Sequence, residues 1–106
     1  MFLHQLDVLY GIILWYYINM NSKHRKTLEL VFKNPVQAGI RWLDVELLFS
    51  SLGGELSEGS GSRLRVKLND VRAVFHRPHP QKTIDKGAVT SIRKFLENAG
   101  VTYDGV

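Results

Sequence analysis

His76 and His79 stand three residues apart in Phe75-His76-Arg77-Pro78-His79-Pro80. Histidine is the side chain that gives and takes protons near neutral pH. Cutting a phosphodiester through its own 2′-hydroxyl needs a base for that hydroxyl, an acid for the departing 5′-oxygen and a cation at the phosphate. His76, His79, Arg63 and Arg77 supply those types without a metal. Both histidines also fit a second reading, as surface loop residues with no catalytic work, and composition alone does not separate the two. Metal binding is the weaker candidate. His-x-x-His with a proline inside is not a helical ligand pair, and carboxylates are scarce around it. The chain has no cysteine, which excludes a cysteine nucleophile, a disulfide framework and any Cys-type zinc or iron–sulfur centre. Gly59-Ser60-Gly61-Ser62 is not followed by Gly-Lys-Ser/Thr, so a phosphate-cradling nucleotide loop is unsupported.

The elements that must position these groups can be read from periodicity. Leu64, Val66 and Leu68 alternate with Arg63, Arg65 and Lys67, the period of a strand with one buried face. Val71 to His76 is a second extended run, and Asn69-Asp70 between them suits a two-residue hairpin turn. That turn predicts the register: Leu68 opposite Val71, Val66 opposite Ala73 and Leu64 opposite Phe75 on an apolar face. On the other face Lys67 neighbours Arg72, Arg65 neighbours Val74, and Arg63 neighbours His76. Ser22–Lys33 and Trp42–Leu52 carry apolar residues at helical spacing, stopped by Asn34-Pro35 and Gly53-Gly54. Glu55–Glu58 is a candidate edge strand. Ala88, Val89, Ile92, Phe95, Leu96 and Ala99 mark a final helix, with Asp85 as its cap and Gly100 as its stop. The expected fold is α+β: helix, three-stranded antiparallel sheet, helix, with an additional N-terminal helical segment. The chain divides into a hydrophobic extension (1–20), a helix with its linker (21–39) and the main domain (40–102).

At 106 residues, 44% hydrophobic and 23% charged, the chain has the size and balance of one small folded domain. Its net charge of +4 is unevenly spread. Residues 62–94 hold nine basic side chains against Asp70 and Asp85. Positive charge concentrated in one third of a small module points to a polyanion, with Arg65, Lys67 and Arg72 as backbone contacts. Val8 to Ile18 is an unbroken apolar run of eleven. It is shorter than the roughly 20 residues of a membrane span, and no Lys or Arg precedes Lys23, as a secretory signal would require. It reads as a packing helix, as a weak anchor, or as sequence upstream of a start at Met20, the reading favoured here.

Gly61-Ser62, Pro78-His79-Pro80-Gln81-Lys82, Lys86-Gly87, Ile92 and Ala99-Gly100-Val101, in that order and spacing, resemble the HicA-type toxins of bacterial and archaeal toxin–antitoxin pairs. The resemblance covers roughly residues 40–101. It implies a fold like that of a double-stranded-RNA-binding domain, metal-independent cleavage of mRNA without a cofactor, a cytoplasmic setting and a HicB-type antitoxin as partner. His79 matches the histidine of the family's Pro-x-His segment, Gly61-Ser62 matches the first part of its Gly-Ser-His step, and Lys82 and Gly87 match the stretch leading into the last helix. Arg63 takes the place of the catalytic histidine that follows Gly-Ser in the family, and Ala88-Val89 replaces Thr-Leu. Two expectations remain. Either His76 or His79 moves the proton, with Arg63 and Arg77 on the phosphate, or the chain is an RNA-binding or antitoxin-binding module that does not cut. A third class, an interaction protein acting through its apolar N-terminus, predicts that deleting residues 1–19 abolishes function.

Overall fold

The computed structural model describes residues 20–103, so the expectations for residues 1–19 lie outside the described residues. In chain order the elements are α1 (Ser22–Val31), β1 (Ile40–Arg41), α2 (Trp42–Ser51), β2 (Glu55–Glu58), β3 (Arg63–Leu68), β4 (Val71–His76), β5 (Thr83–Ile84) and α3 (Lys86–Asn98). Strands β2, β3 and β4 form an antiparallel sheet in that order, and β1 pairs with β5 in a separate two-stranded ribbon. The sheet backed by helices is the expected α+β architecture, consistent with the double-stranded-RNA-binding-domain-like fold. Among the described residues no helix is long and apolar enough to cross a membrane.

The hairpin forms as its sequence predicts. Asn69 and Asp70 take φ values of 49° and 66°, the left-handed pair that a tight hairpin turn demands. The register is Leu68 to Val71, Val66 to Ala73, Leu64 to Phe75, Lys67 to Arg72, Arg65 to Val74 and Arg63 to His76. Leu64, Val66 and Leu68 are buried beneath the helices. Val45, Leu48 and Phe49 from α2, and Val89, Ile92 and Leu96 from α3, meet them with no side chain left exposed. Phe49, Phe75 and Phe95 close a three-ring cluster, each pair of centroids 5.6 Å apart. One ring comes from α2, one from β4 and one from α3, so the cluster ties both helices to the sheet.

Helix ends follow local chemistry. The Asp85 carboxylate accepts from the Ala88 N–H at 2.8 Å and caps α3. Gly100 sits at φ 86° and lets Val101 N–H reach back to the Leu96 carbonyl at 2.8 Å. Helix α1 stops at Val31, two residues before the expected Lys33. The Arg93 guanidinium donates to the carbonyls of Val31 at 2.8 Å and Lys33 at 2.7 Å and to Asn34 Oδ1 at 3.0 Å. It thereby satisfies the end of α1 from a residue on α3. Helix α2 likewise ends at Ser51, with Leu52 as its cap. At Gly54 a Cβ would lie 2.8 Å from the Phe49 carbonyl oxygen, a close approach that only glycine permits. The ribbon of β1 and β5 has no periodic signal because each strand is two residues long.

Asn69 does more than turn the chain: its amide nitrogen donates to the Ala99 carbonyl at 2.9 Å. The turn is thus tied to the end of α3. Asn69→Gly keeps the turn geometry and removes the tie, and is expected to cost about 1 kcal/mol. Asn69→Ala adds the penalty of a left-handed side chain, a further ~1–2 kcal/mol. Urea midpoints at unchanged m-value measure both.

Candidate functional site

The outer face of the sheet carries most of the candidate site residues. Arg63, Arg65, Arg72, Val74 and His76 are exposed there, with Lys67 half-buried among them. Arg65, Lys67 and Arg72 line a shallow trough of about 600 Å³ with the exposed Val74 in it. Lys67 is partly engaged, its ammonium 3.9 Å from Glu55 and 3.8 Å from Asp70. Among the described residues Arg65 and Arg72 make no ion pair. Their charge therefore faces outward unneutralised.

At one end of the trough Arg63 and His76 are direct cross-strand partners. They line a cleft of about 390 Å³ with Gly59, Ser60, Arg65 and Val74. The Arg63 guanidinium donates to Ser60 Oγ at 3.4 Å, leaving most of its donors open. Ser62, also exposed, holds the strand end through its backbone, since its carbonyl accepts from Arg77 N–H at 2.9 Å. His76 lines a second cleft as well, of about 810 Å³, together with His79, Gln81, Asp85 and Ala88. The structure thus sets His76 between Arg63 on one side and His79 on the other. Lys82 lies past His79, beside β1, where its carbonyl accepts from Trp42 N–H at 2.9 Å.

Arg77 is placed differently from its neighbours. It alternates to the helical side of the sheet, where two carboxylates take its guanidinium. Nη1 and Nη2 donate to the two Glu58 oxygens at 2.7 and 2.8 Å. Nε donates to Glu46 Oε2 at 3.0 Å and Nη2 to Glu46 Oε1 at 3.4 Å. These hydrogen bonds, those to Glu58 foremost, push the Arg77 pKa up. The same bonds hold the Glu58 carboxyl below its ordinary range, although Glu58 is exposed. Arg77 is therefore a strut joining α2, the end of β2 and the loop that carries His79, with little donor capacity left for a phosphate. Neither Glu46 nor Glu58 stands out in the sequence, because each lies far from Arg77 along the chain. Arg41, on β1 near Lys82, is a further cation that charge counting over residues 62–94 passes by. Among the described residues no three His, Asp or Glu side chains group to hold a metal ion.

The helix-backed sheet thus has a basic outer face, with Arg63 and His76 paired at its end. The family described as HicA toxin of bacterial toxin–antitoxin matches residues 42–101, more than half of the chain. The chain belongs to the HicA toxin family, the toxin side of pairs whose other member is an antitoxin. No curated protein and no solved structure gives a significant match.

The Glu58 shift has a signed consequence. A carboxyl held below its unfolded value of about 4.5 stabilises the fold above that pH, and the contribution is lost as pH falls through the folded value. Glu58→Gln is expected to flatten the acid limb of a stability–pH profile and to leave its shape at neutral pH unchanged. Arg77→Lys, which cannot grip two carboxylates at once, is expected to lower the denaturation midpoint at neutral pH. Midpoints recorded across the acid range check both.

Proposed function

We propose that the chain is the toxin of a toxin–antitoxin pair and cleaves mRNA in the cytoplasm as a metal-independent endoribonuclease. The observation that carries this reading is the pairing of Arg63 with His76 at the end of a basic face whose Arg65 and Arg72 make no ion pair among the described residues, in a chain of the HicA family. RNA phosphates lie along Arg65, Lys67 and Arg72, which supply salt-dependent affinity without sequence preference. Ser62 and Lys82 contact the strand at either side of the centre.

In the proposed step the 2′-oxygen attacks the adjacent phosphorus and the bond to the 5′-oxygen breaks. One of His76 and His79 takes the 2′-hydroxyl proton, and the other gives a proton to the departing 5′-oxygen. Arg63 meets the charge that builds on the non-bridging oxygens. The products are a 2′,3′-cyclic phosphate and a free 5′-hydroxyl. Arg77 has no part in the chemistry, because its donors are occupied; it holds the His79 loop in place. The partner is a HicB-type antitoxin, which neutralises the basic face with acidic side chains.

Arg63 favours a second reading. Where the family has its catalytic histidine this chain has a group that cannot exchange protons near neutral pH. On that reading the protein binds RNA or its antitoxin and leaves the RNA uncut.

Incubating the full chain with RNA in EDTA separates the two. The first reading expects cleavage, falling at least ~10²-fold in His76→Ala or His79→Ala and ~10²–10³-fold in Arg63→Ala, with circular dichroism unchanged. RNA bound but intact with the parent protein supports the second reading instead.

A further inference from the structure

The loop from Arg77 to Lys82 has a cleft on each side. One holds His76 and His79. The other, of about 560 Å³, is lined by Arg41, Leu43, Pro78, His79, Pro80 and Lys82, with Trp42 at its base. Of these residues only His79 enters the cleavage chemistry proposed above.

This second cleft combines two kinds of surface. Arg41 and Lys82 both line this cleft, held in place by the β1–β5 ribbon, where Arg41 pairs with Thr83 and Trp42 N–H bonds the Lys82 carbonyl at 2.9 Å. Both side chains are exposed, and among the described residues neither makes an ion pair. Beside them the wall is apolar. Leu43 is 56% exposed on the first turn of α2, and Pro78 and Pro80 present rigid rings. An exposed leucine next to two unneutralised cations is what a phosphorylated, partly apolar ligand requires: its phosphate between the cations, its base against carbon. The volume lies in the ~300–1,000 Å³ range of small-ligand clefts and has room for one nucleotide. The shared wall matters most. Because His79 and Pro78 border both clefts, a strand crossing the loop would place neighbouring nucleotides on its two sides.

We infer that the Arg41–Lys82 cleft is a nucleotide subsite, seating the nucleotide across the His79 loop from the bond that is cut. Its place in the reaction rests on the cleavage reading above; its ligand chemistry does not. Arg41 and Lys82 hold the phosphate, and Leu43 and Pro80 hold the base or sugar.

The test is an NMR titration of the full chain with adenosine 5′-monophosphate, with adenosine as control. Shifts are expected to cluster at the amides of Leu43, Gln81 and Lys82 and at the Trp42 indole. Adenosine, and the monophosphate with the Arg41→Ser/Lys82→Ser variant, are expected to bind roughly tenfold more weakly. In that variant the slope of log affinity for single-stranded RNA against log salt should shrink by about 0.7, the contribution of one phosphate no longer neutralised. Shifts confined to the open sheet face, or an unchanged slope, overturn the inference. So does an unchanged slope with weakened binding of poly-glutamate, which gives the cleft to an acidic protein. If the monophosphate binds in the cleft while RNA stays uncut, the subsite stands and the cleavage reading falls.

Discussion

Asn69 and Asp70 both lie at positive φ, and that two-residue turn decides which residues of β3 and β4 stand opposite each other. A slip of one position would exchange the faces of a whole strand. Leu64, Val66 and Leu68 would then meet water, and Arg63, Arg65 and Lys67 would meet the phenylalanine cluster. Burial of the three apolar residues therefore holds the three basic ones outside. It also holds Arg63 beside His76, at the far end of the hairpin from the turn. The charged face and the Arg–His pair both inherit their geometry from this register.

The loop after β4 needs separate support, since it leaves the sheet at once. Two devices provide it. Arg77 grips Glu46 and Glu58 and bonds the Ser62 carbonyl through its N–H. Downstream, β5 returns the chain to β1 and leads into the capped start of α3. The segment carrying His79 is pinned at both ends. The basic side chains divide accordingly. Arg77 and Arg93 use their donors inside the fold, one on two carboxylates and the other on the end of α1. Arg65, Arg72, Arg41 and Lys82 keep theirs for a partner.

What was legible in the sequence is what short-range patterns encode. The alternation in Arg63–Leu68 and the turn at Asn69-Asp70 were enough for the full hairpin register. The apolar spacing of α3, its Asp85 cap and its Gly100 stop were equally plain. What was not legible depends on distant partners. Arg77 reads as one more cation in a basic segment until Glu46 and Glu58 arrive from two other elements. The carbonyls at the end of α1 are met by Arg93, some sixty residues away along the chain. The β1–β5 ribbon is too short for any period, so Arg41 could not be placed beside Lys82. The candidate site was thus half visible: Arg63 with His76 from local register, and the second cleft only from the folded chain.

In the proposed reaction a neighbouring 2′-hydroxyl, with protons moved by histidine, does the cutting at the Arg63–His76 end of the sheet. The chemistry of the cut ends tests it most directly. RNA fragments made by the full chain should carry 2′,3′-cyclic phosphates and 5′-hydroxyls, seen by mass spectrometry of the termini. Fragments ending in 3′-hydroxyls and 5′-phosphates would mean that water or another nucleophile attacks the phosphorus. Such ends would rule out attack by the neighbouring 2′-hydroxyl.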